Sequence, residues 1–303
     1  MGSAVQERRL RIFLRIFLRI LAALAVYLSP NTSAQVRNSA SQPNTSNVDA
    51  LVRDVVHNEI AAQLGDTSLW CYREEQQEDG KPNRTLQVCQ TKDGDLERLV
   101  AISGRELDHA QRQTEGERLK KLIDHPERLR AKQKKEREDA EQARTLFGSF
   151  PEAFRFQCES ESGDLITLRF RPNPAFRPAT RAAQVFHHME GTLILDTRQE
   201  RLVEINGRLT SEVRFGGGLL GHLDRNGTFQ VKQKEVADGH WDLVCMSVHM
   251  SGRALLFKTI AVSQEQRLLD YRPLPRGTTL QQAADFLMRD FDVHIAETSE
   301  KTK

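Results

Sequence analysis

The segment NGTFQVKQKEVADGHWDLVCMSVHMSGRALLFKTIAV, residues 226–262, decides the fold class. Asn226-Gly227, Asp238-Gly239 and Ser251-Gly252 recur within it at intervals of 12 and 13 residues. Each pair accepts the positive φ of a two-residue hairpin turn. The stretches between them, Thr228–Val236, His240–His249 and Arg253–Val262, are therefore expected to form an antiparallel meander. Strict alternation along His240–His249 puts Trp241, Leu243 and Cys245 on one face, and Val244, Met246, Val248 and Met250 on the other. A sheet that is apolar on both sides must be covered twice. Curling into a barrel around a core or cavity, with helices against part of it, is one solution.

More strands lie outward of this segment. Gly191–Asp196 and Arg201–Phe215 read as strands, with Asn206-Gly207 either a tight turn or a bulge in the latter. Phe154–Cys158 and Leu165–Phe170 precede the proline-rich loop 171–178. Leu69–Arg73 and Thr85–Thr91 flank Asp79-Gly80-Lys81-Pro82, and Leu96–Ile102 follows. Asn47 reads as an N-cap. Val48, Leu51, Val52, Val55, Val56, Ile60 and Leu64 then recur at helical spacing up to Gly65. Thr278 is expected to cap a closing helix, 279–289, with Leu280, Ala283, Ala284, Leu287 and Met288 on one face. Residues 105–147 are dense in Glu, Arg, Lys and Gln, and Pro126 divides them into helices 105–124 and 126–147. Such a charge run is ordinarily a solvated face. Its functional alternative is a movable lid or a partner-binding arm.

The first 34 residues have the three-part layout of a secretory signal. Arginines precede the apolar run Ile20–Leu28, Ser29-Pro30 breaks it, and Thr32-Ser33-Ala34 offers a cleavage site. Nine apolar residues fall well short of the roughly 20 that span a bilayer. The alternative is an uncleaved anchor, lying at the inner membrane surface through the repeat Arg11-Ile-Phe-Leu-Arg15-Ile-Phe-Leu-Arg19. Residues 35–46 are polar and read as a flexible linker. A single α+β domain, 47–297, and a loose tail, 298–303, complete the expected organisation. Export would place the domain in the periplasm or outside the cell.

The chain has 303 residues, 38% of them hydrophobic and 28% charged, with formal net charge +2. Residues 1–34 carry five arginines against Glu7. Taking those four net positive charges from +2 leaves −2 on the rest, which argues against sequence-independent nucleic-acid binding.

Four cysteines are too few for a disulfide scaffold. Cys71 and Cys89 stand at equal distances from Gly80, so hairpin symmetry places them opposite and favours a bridge. Cys158 and Cys245 are either a bridge between layers or free thiols, and the expected turns put Lys232 and Lys258 opposite Cys245.

No reaction site is legible. Gly216-Gly217-Gly218-Leu219-Leu220-Gly221 matches GxGxxG, but a hairpin and not a helix follows it, so a bend or bulge at a sheet corner is expected. His187, His188, His222, His240 and His249 lack metal-ligand spacing. Nucleophile-elbow, CxxC and phosphate-loop motifs are missing. Asp196 and Glu204 flank a hairpin, where solvated carboxylates are ordinary. No catalytic residue, cofactor or metal is expected, and an enzyme is the least favoured class.

The order of elements resembles the periplasmic lipoprotein-localisation carriers and the envelope-stress sensor-regulators related to them. The likeness is carried by Gly191-Thr-Leu-Ile-Leu-Asp196, Arg201-Leu-Val-Glu-Ile205 and Asp238-Gly-His-Trp241, and covers about 48–290 in topology. Uncharacterised exported bacterial proteins are similar in Phe-Gly-Gly-Gly-Leu-Leu-Gly-His, 215–222, and Ala-Leu-Leu-Phe-Lys-Thr-Ile, 254–260. The first resemblance implies an incomplete β-barrel with helices over its mouth and acyl chains held in the concavity. The functional expectation is an exported, non-enzymatic binding protein for a hydrophobic or lipidated ligand, a lipid or a lipoprotein. The alternative is an envelope interaction or sensor module that uses the helices of 105–147.

Overall fold

Antiparallel pairing dominates the chain because its turn signals are closely spaced and its strands are long. A computed structural model describes residues 47–215, 221–254 and 258–288. The expected signal, linker and tail lie outside these residues, as do Gly216–Leu220 of the glycine run. Helix α1, Asn47–Gly65, leads into strands β1, Leu69–Glu78, β2, Arg84–Thr91, β3, Gly94–Ile102, and the two-residue β4, Arg105–Glu106. Helices α2, His109–Asp124, α3, Glu127–Gly148, and α4, Phe150–Ala153, follow. Then come β5, Phe154–Ser162, β6, Leu165–Pro172, a 3-10 turn at Ala182–His188, β7, Met189–Asp196, and β8, Arg201–Leu209. The last strands are β9, Val213–Phe215, β10, Gly221–Leu223, β11, Thr228–Ala237, β12, His240–Ala254, and β13, Lys258–Leu274. A helix over 280–288, α5, ends the described chain. No helix among the described residues is long and apolar enough to cross a membrane.

The strands form one unclosed antiparallel sheet in the order β4-β3-β2-β1-β13-β12-β11-β8-β7-β6-β5, with β9 and β10 branching from β12. This is an α+β fold with a large open sheet. Helix α3 requires the sheet to curl. Gln133 Nε2 donates to the Lys92 carbonyl beside β3, at 3.2 Å. The rings of Phe147, Phe150 and Phe154 then lead to β5, at 6.2 and 4.6 Å between successive centroids. From Gln133 to Phe147 a helix rises about 21 Å. Nine strand spacings on a flat sheet would part β3 and β5 by about 43 Å. The two ends are therefore folded toward each other across α3.

The inner face and the helices share one core. Val52, Val55 and Val56 of α1 and Leu146 and Phe147 of α3 meet strand residues from both ends of the sheet, Tyr72 and Val88 at one and Phe154 and Phe170 at the other. A second cluster lies on the opposite side of the first hairpin. There Cys71, Cys89 and Leu96 pack beneath Leu119 of α2, Leu129 of α3 and Leu287 of α5. Cys71 and Cys89 are directly paired and disulfide-bonded, with Cα atoms 4.1 Å apart.

The insertion is a strap with one buried stripe, Leu129, Gln133, Glu136, Ala140, Ala143, Leu146 and Phe147. It begins later than expected, at His109, because Arg105–Glu106 pairs with β3 and Asp108 forms a capping box with Gln111. At the other end of the chain the capping residue is Thr279, whose Oγ1 accepts from Gln282 N at 3.2 Å, whereas Thr278 Oγ1 donates to Pro275 O.

Four expectations about the meander are corrected. Asn226-Gly227 is a turn but not a hairpin, because the strands it joins, β10 and β11, lie in line along β12 and do not pair with each other. Ser251-Gly252 is not a turn but lies inside β12, and a Cβ on Gly252 would sit 2.2 Å from the His222 carbonyl of β10. That glycine serves close backbone approach. With the turn displaced, Cys245 faces Lys232 and Arg267, not Lys258. The β12 faces also differ from strict alternation. The register shifts after Lys232, which leaves Val244 unopposed, so Leu243 joins Met246, Val248 and Met250 in the core. The other face of the central sheet is polar, with Arg169, Thr192, Asn206, Gln230 and Ser247 at successively paired positions.

Asn206-Gly207 is neither turn nor bulge. It continues β8, and a Cβ on Gly207 would lie 2.2 Å from the Phe229 ring. Gly207→Ala should therefore cost about 1–3 kcal/mol through overpacking, measured by urea denaturation. Adding Phe229→Leu should recover part of that loss.

Candidate functional site

A polar concavity lies where α1 ends against the β11–β12 hairpin. The stripe Val52, Val55, Val56 continues to Glu59 and Gln63 in the helical repeat, so those two polar residues are buried with it. Glu59 is 3% exposed at its side chain and Arg201 14%. Glu59 accepts from Arg201 Nε at 2.8 Å, Arg201 Nη2 at 3.2 Å and Leu202 N at 3.0 Å. A buried carboxylate held by a fork and a backbone amide is thus compensated. The Arg201 guanidinium carbon lies 5.5 Å from the centroid of the Trp241 ring, and Trp241 Nε1 donates to Gln199 Oε1 at 2.7 Å.

Past Gly65 the chain presents Asp66. Its Oδ1 accepts from Ser68 N at 2.7 Å, and its Oδ2 stands 3.3 Å from His240 Nδ1. Asp242 mirrors it. There Oδ1 accepts from Leu243 N at 2.8 Å, and Oδ2 stands 3.5 Å from His240 Nε2. The imidazole stacks on Trp70 at 4.2 Å and 11°. Both ring nitrogens are thereby turned toward carboxylates. The resulting cleft has a volume of about 290 Å³ and is lined by Glu59, Gln63, Asp66, Arg201, His240 and Trp241 among others.

Below it, Tyr72 and Tyr271 stack at 5.2 Å, and Tyr271 Oη donates to Leu243 O at 2.6 Å. Burial, reinforced by the nearby carboxylates of Asp95 and Glu74, pushes the Tyr72 hydroxyl well above the ordinary tyrosine range.

The histidines do not converge. His188 Nδ1 lies 2.7 Å from Ser211 Oγ, and burial with the neighbouring His187 lowers its pKa. His222 is 3.3 Å from Asp224, and His249 lies between Ser247 and Ser263. Among the described residues no His, Cys, Asp and Glu group is arranged to hold a metal. Asp196 accepts from Arg198 N and Gln199 N in the β7–β8 turn. Glu204 takes Asn206, Gln230 and Lys232 on the outer face. Cys158 is exposed and Cys245 half-buried, and both are free thiols.

Among the cleft residues only the histidine was singled out from sequence as a candidate. One signal was available for Glu59 and Gln63, which interrupt an apolar helical stripe. Nothing local marks Asp66, Arg201 or Asp242, which meet only through the fold. No protein-family model, curated protein or solved structure matches the chain.

Glu59→Gln should destabilise the fold by roughly 3–5 kcal/mol in chemical denaturation, because it strands a buried guanidinium. Glu59→Met with Arg201→Met should cost less than either single change.

Alkaline titration tests the Tyr72 environment. A phenol with a raised folded-state pKa stabilises below the unfolded value, about 10, and that contribution is lost as the pH rises further. The tyrosinate absorbance step from Tyr72 should coincide with loss of far-ultraviolet circular dichroism.

Proposed function

We propose that the chain is an exported, non-catalytic binding protein of the cell envelope, and that its ligand is a small polar molecule held in the cleft at the end of α1. The observation that carries this reading is the construction of the cleft. Two carboxylates clamp an imidazole, a buried Glu59–Arg201 pair fixes one wall, and Trp241 supplies an aromatic surface. Ligand sites combine such an aromatic surface with a few fixed polar groups. Export rests on the residue pattern before position 35, and the non-catalytic reading on the sequence carrying no nucleophile-elbow, CxxC or phosphate-loop motif.

We read the unclosed sheet as an incomplete barrel, in keeping with the resemblance to lipoprotein-localisation carriers. A hydrophobic or lipidated guest in its hollow has to displace Leu146, Phe147 and Phe150, which occupy the inner face. That reading therefore requires α3 to swing away. The partner-arm reading requires a second protein on the solvent side of α3, since the other side is committed to the core.

The chain has two tryptophans, Trp70 and Trp241, and both belong to the cleft wall or its support. Intrinsic fluorescence is therefore a specific reporter. Titrating a fractionated envelope extract should yield a polar fraction that shifts the emission of the parent protein, and Asp242→Asn should weaken the response about tenfold. Native mass spectrometry should show the matching small adduct. An adduct that proves to be a fatty acid or lipid, retained by Asp242→Asn, would move the ligand to the hollow. Silence in both measurements would defeat the binding reading.

A further inference from the structure

A second concavity, about 550 Å³, lies on the polar outer face, across β6, β7, β8, β11 and β12. It shares no residue with the cleft at α1 and stands independently of the function proposed above. Its floor offers Thr192, Asn206, Gln230 and Ser247, and its charged walls are Arg169, Arg171, Arg208 and Glu190. Two of the arginines are already matched. Arg208 Nη2 is 2.6 Å from Glu190 Oε1, and Arg169 pairs with Glu159.

Arg171 is different. It sits directly opposite Arg155 on the neighbouring strand β5. Among the described residues neither makes an ion pair, and both are exposed. Like charges at directly paired positions destabilise a sheet. Arg171 lines the trough and Arg155 stands on the edge strand next to it, so on a chain whose remainder after position 34 is net acidic two like charges share one paired position beside the trough. Arg169, two residues along the same face with its backbone about 7 Å from that of Arg171, is already paired with Glu159.

We propose that this trough binds a phosphate monoester group. Such a group carries a charge of about −1.5 to −2 and three strong acceptor oxygens. One dianion neutralises both Arg155 and Arg171, whereas a single carboxylate would neutralise one. Guanidinium forks suit its geometry. Thr192 on the floor offers a hydroxyl to the remainder of a phosphorylated ligand, while the Asn206 and Gln230 amides already donate to Glu204 and Ser247 Oγ lies 3.1 Å from His249 Nε2. The same chemistry is presented by a free phosphorylated metabolite and by a phosphomonoester lipid headgroup.

The test uses the full chain with sn-glycerol 3-phosphate as the soluble probe. Phosphatidylcholine vesicles with and without phosphatidic acid serve as the lipid probe. Calorimetry or flotation should detect binding to at least one of the phosphomonoesters, above a sodium chloride control of equal ionic strength. The responding arm identifies the source. Arg155→Gln with Arg171→Gln should weaken that binding at least tenfold while leaving the thermal midpoint no lower than the parent's. Phenylglyoxal labelling read by mass spectrometry needs no variant. The responding phosphomonoester should protect Arg155 and Arg171 but not the exposed Arg53 of α1. The proposal is overturned by responses no larger than chloride's in both arms, by a double variant that binds as the parent does, or by equal labelling of all three arginines with and without ligand.

Discussion

Packing of α3 against the inner face is the constraint from which the rest of the structure follows. An eleven-strand antiparallel path exposes a large apolar surface if left flat. Here a single chord of helix joins the β3 end to the β5 end, and its length sets how far the sheet must curl. The chord lies close because Ala140 and Ala143 occupy the middle of its buried stripe. Apolar burial contributes roughly 25 cal/mol per Å², and the largest contiguous share of it is the cluster that α1, α3 and both ends of the sheet build together. The same helix caps an otherwise open edge. Lys132 and Arg130 reach Glu97 and Asp93, while Glu115 of α2 accepts from the Leu99 backbone amide. Edge amides satisfied in this way are withdrawn from pairing with another chain.

Curling has a second consequence at the rim. Helix α1 crosses the inner face and runs out of apolar partners where the β11–β12 hairpin turns. Its last buried positions are polar, Glu59 and Gln63, and each needs a partner at that depth. Arg201 answers Glu59 from the start of β8. Asp66 and Asp242 enclose His240 just beyond. The cleft is therefore a product of helix length set against sheet curvature, and its charges are spaced by backbone elements far apart in sequence.

The two sides of the sheet are treated differently along its width. Around the Cys71–Cys89 bridge of β1, β2 and β3 both sides are apolar, since the strap and α5 cover the outer side there, while the next row on that side is Arg73, Gln87 and Arg98. From β12 to β5 the outer side is polar, and arginine, threonine and amide side chains replace the second core. Part of that surface is internally matched, by Glu204 with Asn206 and Gln230 and by Glu159 with Arg169, and the opposed pair Arg155 and Arg171 at its end is the part suited to an oxyanion. The cleft, by contrast, is bounded by carboxylates.

Much of the fold was legible in the sequence because turns and helical stripes are local. Asp238-Gly239 marks the β11–β12 hairpin turn, with Gly239 at φ 66°, and Asn226-Gly227 marks a turn, with Asn226 at φ 68°, though not a hairpin. The helical repeat of Val52, Val55 and Val56 and the break at Pro126 place α1, α2 and α3. The symmetric spacing of Cys71 and Cys89 about Gly80 identifies two residues that the β1–β2 register sets face to face. What failed did so for tertiary reasons. Ser251-Gly252 has the chemistry of a turn, yet its glycine is used to let β10 approach β12. Alternation along β12 misassigned Leu243 because one unopposed residue, Val244, inverts the parity of everything before it. The candidate site was almost wholly illegible. Asp66, Arg201, His240 and Asp242 gain meaning only when α1, β8 and β12 meet. Local sequence determines which backbone conformations are cheap; only the packed chain decides which distant charges must share one small volume.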